Sequence, residues 1–349
     1  LGHYGDGQTE LGAAAIGGIY FHVLFMLGFG FATGMQILIS RRKGENKLQD
    51  IGPIMENGIM FLWAMAAVLI VSSIVFTPII MPSIISHGNI LEPSIDFLNI
   101  RIYGLIFVFV NVSYRAFFVG TANTRPLTYG SIIMASTNIA LDYVLIFGKF
   151  GFPEMGIKGA ALATVIAEAV EATYFIILSS RAKIRKVYKL FYFKRPDLKL
   201  LKHTLSISVY VMLQYFISLC TWFAFFVMIE KTGELNLASS NIVRNIYAFI
   251  TIPIWAYAAA TSSFVSSAIG AGHISSVPAI IRKIVKIGVV TSAILILPVS
   301  FLAKPILSIY TNNADLINNS VASIYVILAV NLIFACGCIS FNGLSGTAV

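Results

Sequence analysis

A chain of 349 residues that is 58% hydrophobic and 11% charged, with a mean hydropathy of +0.85, has too little polar surface to fold as a water-soluble globule. A formal net charge of +9 would suit a nucleic-acid partner if it formed a free tail, but the basic residues lie in the loops between apolar runs. The composition describes an all-α polytopic membrane protein whose surroundings are the lipid bilayer, with no nucleic acid among its partners.

Crossing a bilayer takes about 20 mostly apolar residues. Nine such runs occur, near residues 11–40, 55–81, 98–121, 127–148, 156–179, 203–230, 237–269, 278–303 and 318–343. Their short connections predict an antiparallel helical bundle. Basic residues then orient it. Arg41, Arg42, Lys43 and Lys47 follow the first run, Arg125 the third, nine Lys or Arg lie from Arg181 to Lys202, and Arg282, Lys283 and Lys286 follow the seventh. The alternate loops hold only Lys149, Lys158, Lys231 and Lys304. Positive loops stay in the cytoplasm, so residue 1 is expected outside and the 181–202 segment inside. Cys220, Cys336 and Cys338 fall inside apolar runs and are expected to be small buried hydrophobes. No leader precedes the first run, and the chain opens on Leu, so it is expected to be a fragment.

An internal repeat organises the runs. Ala32, Thr33 and Gly44 align with Ala260, Thr261 and Gly272 at an offset of 228, and Thr77, Pro78 and Ile79 with Lys304, Pro305 and Ile306 at 227. Tyr103, Gly120 and Thr124 align with Tyr325, Gly343 and Thr347 at 222 to 223. An even number of spans separates matching positions, so the halves are parallel repeats about an axis along the bilayer normal. The expected layout is a first lobe at 1–180, a basic interlobe loop at 181–202 and a second lobe at 203–349. The offset leaves one leading and two trailing helices without counterparts, which makes two six-helix lobes in a complete protein.

Polar residues inside such runs carry the chemistry. Asn138 and Asp142 share one helix face, and helix rise places Asp142 about 9 Å from the far end of its run and Thr164 about 12 Å into the next, at similar depth. An ionisable residue in the membrane marks an ion or proton pathway. Glu168 continues the Thr164 face near mid-membrane and is a candidate proton relay or cargo contact, whereas Glu171 lies nearer the cytoplasm and is expected to pair with a basic side chain. Gln214 is the polar residue midway along the sixth run. Arg244, with Asn241 and Asn245, serves either interlobe structure or substrate contact. Arg115 is expected to snorkel to the interface. Pro253 and Pro298 should kink their helices, and Gly28, Gly30 and Gly34 should let helices approach closely. Phe25, Tyr129, Trp222, Trp255 and Tyr257 are candidates to line a cleft for organic cations.

Four stretches then resemble the multidrug and toxic compound extrusion (MATE) transporters. They are LGAAAIGGIYF with GFGFATGMQILISRRKGE (11–45), YRAFFVGTANTRP (114–126), NIALDYVLIFG with FPEMGIKGAALATVIAE (138–168), and SNIVRNIY with SSAIGAGH (240–273). The resemblance implies twelve helices in two lobes and export of cationic drugs or metabolites by alternating access, driven by inward H+ or Na+. No other cofactor is implied, and the protein is expected to act as a monomer in the bacterial plasma membrane. One branch of the family holds its cation in the first lobe, with an Asn and an Asp on one helix, a Thr on the next and an Asp on the leading helix. Asn138, Asp142 and Thr164 match the first three. A second branch uses an acid midway along the helix equivalent to 203–230, where this chain has Gln214, with Glu230 only at the end. First-lobe coupling is therefore expected.

Two other readings remain at this point. One is a lipid-linked precursor or polysaccharide flippase of the same superfamily, which usually carries more positive charge in its cavity than Arg101, Arg115 and Arg244 supply. The other is a membrane enzyme, but the chain has neither HExxH nor GxSxG, and His3, His22, His87, His203 and His273 are scattered.

Overall fold

A computed structural model describes residues 8–84, 88–192, 196–230, 234–310 and 314–347. Every regular element among them is helical: α1 (Gln8–Gly44), α2 (Ile51–Ile84), α3 (Gly88–Arg101), α4 (Gly104–Gly120), α5 (Arg125–Ile146), α6 (Gly156–Ser179), α7 (Ala182–Tyr188), α8 (Leu198–Glu230), α9 (Glu234–Gly270), α10 (Val277–Phe301), α11 (Ala303–Tyr310) and α12 (Ala314–Ser345), with single 3-10 turns at Leu48–Asp50 and Ile274–Ser276. Eight helices are each long and apolar enough to cross a bilayer, and α3 with α4, bent by 53° at their break, make a ninth when counted as one span. The expected all-α bundle is present. The uninterrupted run at 98–121 is not: the crossing starts earlier, at Gly88, and breaks after Arg101. Backbone groups freed inside lipid need partners. Here the turn tightens, with Tyr103 N–H donating to Ile100 O at 3.3 Å, Leu105 N–H to Ile102 O at 3.1 Å and Ile106 N–H to Tyr103 O at 3.3 Å.

The chain divides into two compact units, residues 1–42 with 47–215 and residues 43–46 with 216–349. The division falls inside α8, and the basic 181–202 segment lies wholly in the first unit. In that unit α6 packs against α3, α4 and α5. Buried aromatic side chains fill the space between them, including Phe109, Phe117, Phe118 and Phe175. Gly28 faces the Phe109 ring so closely that a Cβ would overlap it, and Gly34 lies directly on Ser208 of α8, whose hydroxyl donates to Phe31 O at 3.2 Å. Small residues bring α1 against both neighbours, as the sequence predicts.

The basic segment is fastened to the start of α2. Glu56 Oε1 accepts from Tyr192 N–H and Asn57 Oδ1 from Asp197 N–H, both at 2.7 Å. Asp197 in turn caps α8, accepting from Lys199 N–H at 2.9 Å and Leu200 N–H at 3.1 Å. In the second unit α9, α10 and α12 pack together around an apolar cluster that includes Val243, Ile250, Leu307 and Leu328. Ser239 and Ser320 hydroxyls meet at 2.8 Å, and Tyr257 and Thr291 at 3.0 Å, so these polar groups are satisfied between helices. Pro253 and Pro298 fall inside α9 and α10, which continue through them. Gly120 and Gly343, matched by the repeat, both sit where a Cβ would press on a neighbouring helix: on Ile39 at 2.8 Å in one unit, and on Ile281 at 2.8 Å and Thr261 at 3.2 Å in the other. Of the cysteines, Cys336 is exposed and Cys338 half-buried, contrary to the expectation of buried hydrophobes: Cys336 lies on the outer side of α12, and Cys338, two residues on, packs in part against the Ile254, Ala335 and Ile339 cluster; the Cys220 side chain lies outside the described residues.

Candidate functional site

α5 and α6 are joined by a turn that starts as soon as α5 ends: Gly148 adopts a left-handed φ of +61°, and Met155 N–H donates back to Leu145 O at 3.0 Å. This early stop sets the register between the two helices. Thr164 lies level with Asn138, whose Nδ2 donates to Thr164 Oγ1 at 3.3 Å, while the Thr164 hydroxyl donates to Ala160 O at 3.0 Å. Asp142 sits one turn further toward the end of α5, only about 6 Å from Ile146. The depth match expected between Asp142 and Thr164 therefore belongs to Asn138 and Thr164, because α5 ends at Ile146 rather than 148. Asp142 remains beside that pair on the Asn138 face.

Asp142 is half-buried, and its Oδ1 is enclosed by protein without a hydrogen-bond partner among the described residues. A sequestered carboxylate oxygen with no donor is costly, and a proton or a cation relieves it. Asp142, Asn138 and Thr164 carry oxygen donors, the ligand chemistry that a hard cation such as Na+ takes, although in this arrangement the Asn138 amide turns its nitrogen, not its oxygen, to Thr164.

Glu168 lies one turn beyond Thr164 along α6 and is buried. It does not present a free carboxylate. Arg101 grips it with both terminal nitrogens, Nη2 to Oε1 at 2.6 Å and Nη1 to Oε2 at 2.8 Å, and the guanidinium lies 3.6 Å from the centre of the Phe21 ring. Asn111 Nδ2 donates to the Glu168 backbone carbonyl at 3.1 Å. The basic partner expected for Glu171 thus belongs to Glu168. Glu171, buried against Gly130 of α5, has no ion pair among the described residues. The run expected at 98–121 would leave Arg101 near a helix end; the start of α3 at Gly88 puts it inside the crossing, and ionisable residues of opposite sign in separate apolar runs, Arg101 and Arg115 in one and Glu168 and Glu171 in another, were the available signal. Arg115 places its guanidinium 4.8 Å from the centre of the Phe29 ring.

Gln214 is half-buried on α8 and joins none of these contacts. Arg244, exposed on α9, lines a cavity of about 390 Å³ with Trp222, Phe225, Ser240 and Val326 in the second unit. The Asn241 side chain lies outside the described residues. Trp255 packs on Phe334 with ring centres 6.0 Å apart, and Tyr257 is tied to Thr291, so both serve packing among α9, α10 and α12.

Residues 1–144 and 207–349, one stretch in each half of the chain, match the MatE family model. The chain belongs to the MatE family. Among its MatE relatives, it is 25% identical over 305 residues to the probable multidrug resistance protein YoeA of Bacillus subtilis, covering 84% of this chain and 64% of that protein. It is 27% identical over 338 residues to the probable multidrug resistance protein NorM of Photorhabdus laumondii, covering 95% and 71%. The chain thus spans about two thirds of the length of these relatives. A MATE transporter solved in complex with MaD3S superposes with a TM-score of 0.88 at 18% identity, over 98% of this chain and 75% of that one, and a MOP superfamily transporter from Pyrococcus furiosus does so with the same values. These superpositions establish the MATE fold for the MatE chain, all-helical with eight or nine apolar spans among the described residues.

Proposed function

We propose that the full-length protein is a cation-coupled antiporter that exports small organic cations, including drugs and toxic metabolites, by alternating access as H+ or Na+ flows inward. The observation that carries this reading is Asp142: a carboxylate oxygen enclosed without a donor, one turn from the Asn138–Thr164 bond. A group in that condition changes its interactions sharply when an ion arrives or leaves, and a transporter needs such a switch to bias its two access states. The relatives' printed names, multidrug resistance proteins, supply the cargo class.

The remaining parts follow from the same reading. The sequence repeat assigns one lobe to 1–180 and a second to 203–349 with the basic 181–202 segment between them in the chain, although the compact units divide later, inside α8; loop charge argues for residue 1 outside and that segment in the cytoplasm of a bacterial cell. Trp222 and Phe225 in the second unit offer ring faces to an organic cation, with Arg244 lining the same cavity, where its like charge would oppose close approach of the cation; Gln214, in the first unit, is a separate candidate contact.

The test is efflux of a fluorescent organic cation from proteoliposomes that hold the full-length protein, under separate sodium and pH gradients. One of the two gradients is expected to drive efflux at least about tenfold above the ungradiented rate, which also identifies the ion. Folded protein that moves the dye under neither gradient would overturn the antiport reading.

A further inference from the structure

The break after Arg101 sits in the middle of a membrane crossing, and one residue of α6 holds both sides of it. Arg101, the last residue of α3, reaches the Glu168 carboxylate with two hydrogen bonds, while Asn111, two turns into α4, bonds the Glu168 backbone carbonyl at 3.1 Å. The first residue of α4 is shaped to the same pair. A Cβ on Gly104 would overlap Arg101 Nη1 and lie 2.7 Å from Glu168 Oε2, so any other residue there would require the pair to shift off the backbone. A second, half-exposed ion pair joins α3 to α6 between Asp96 and Lys158 at 3.1 Å, where screening leaves it little weight. Glu168 is therefore the residue through which α6 grips the bent crossing.

That grip lies one helical turn from Thr164, whose hydroxyl meets Asn138. The path from the candidate ion site to the break is continuous: Asp142 and Asn138 on one face of α5, the 3.3 Å bond to Thr164, one turn of α6 to Glu168, then Arg101 and Asn111 on either side of the break. Two like-positioned features would need to coincide for this by accident, a buried bidentate pair and a broken span at the same depth.

We infer that Glu168 and Arg101 are positioning residues that clamp the break of the third crossing to the ion-site helix, so that ion binding at Asp142 changes the bend between α3 and α4. They carry neither ion nor cargo. The coupling half of this inference rests on the antiport reading; the clamp itself does not. A buried pair broken on one side leaves an uncompensated charge, whereas neutralising both partners keeps the shape and removes the charge penalty. The informative variant is accordingly the double Arg101→Gln/Glu168→Gln, with Glu168→Gln alone beside it.

The experiment is hydrogen–deuterium exchange of the full-length protein in detergent micelles, following the amides of residues 102–106 with and without the coupling ion, together with ion affinity from the same preparations. In the double variant those amides are expected to exchange at least about tenfold faster than in the parent without ion, at unchanged melting temperature, because the clamp is lost and the fold is not. Ion affinity should change by no more than the coupling factor and far less than in Asp142→Asn, while the ion-dependent change in exchange at 102–106 disappears. Unchanged exchange at 102–106 in the double variant would overturn the clamp. A fall in ion affinity as large as that of Asp142→Asn would make Glu168 an ion ligand and overturn its positioning role. A parent whose exchange at 102–106 does not respond to either ion would overturn the coupling, and the exchange without ion would still decide the clamp; that result alone leaves gradient-driven efflux, which tests the antiport reading, to stand or fall separately.

Discussion

Replacing Asp142 by Asn is expected to abolish ion-gradient-driven efflux while the protein folds and melts as the parent does. Asn keeps the shape of a protonated Asp and removes the charge that an ion would answer. Because Asp142 Oδ1 has no hydrogen-bond partner to lose among the described residues, the substitution breaks no bond there; it brings its own amide donors to a half-buried position, and stability should change by no more than about 1–2 kcal/mol. Efflux under the driving gradient should fall at least about tenfold, to the rate without a gradient. Thr164→Val, which deletes one oxygen and leaves the Asn138 amide unpaired, is expected to be milder, weakening ion affinity by about tenfold without ending transport. An Asp142→Asn protein with the parent's ion dependence would remove the residue from the mechanism.

The largest effect on stability is expected at Arg101. Arg101→Met fills much of the same volume beside the Phe21 ring but leaves the Glu168 carboxylate buried with neither of its guanidinium bonds. Breaking a buried pair in this way costs about 3–5 kcal/mol, enough to unfold a marginal protein or deplete it from the membrane. The double variant Arg101→Met/Glu168→Leu should recover most of that loss, since the desolvated charge is then gone. Thermal unfolding in detergent measures both; a single variant within about 1 kcal/mol of the parent would mean that the pair contributes little.

The candidate site was legible where it depends on helical spacing and illegible where it depends on tertiary contact. Asn138, Asp142 and Thr164 stand out because polar residues four apart on an apolar helix, facing a hydroxyl on the next, follow from period and rise alone. The one-turn slip between Asp142 and Thr164 came from the end of α5, which the turn at Gly148 fixes and which apolar run length does not reveal. The grip of Arg101 on Glu168 joins residues 67 apart in sequence. Glu92 and Asp96 lower the hydropathy of α3, so the apolar run begins ten residues late and Arg101 looks terminal when it is central. The break itself carried only Gly104 as a marker. A glycine beside a lone arginine does not by itself announce a bend, and the meaning of Gly104 appears only once Glu168 is placed against it.

Overall topology was easier, for a physical reason. Lipid permits few backbone solutions, so apolar length and loop charge specify crossings and their order more tightly than they would in a soluble protein. The interior of each unit is different. Contacts such as Gly28 on Phe109, or Ser239 with Ser320, depend on which faces meet, and small or hydroxyl residues occur on many faces that do not meet.

Direct ion binding to the purified full-length protein tests the account most closely, with radioactive sodium uptake and proton release measured on the parent and on Asp142→Asn under the same conditions. The account predicts that the parent binds the coupling ion saturably and that the variant does not, with both proteins equally folded. Equal binding by the two would contradict it, because the ion would then be held somewhere other than the Asp142, Asn138 and Thr164 cluster.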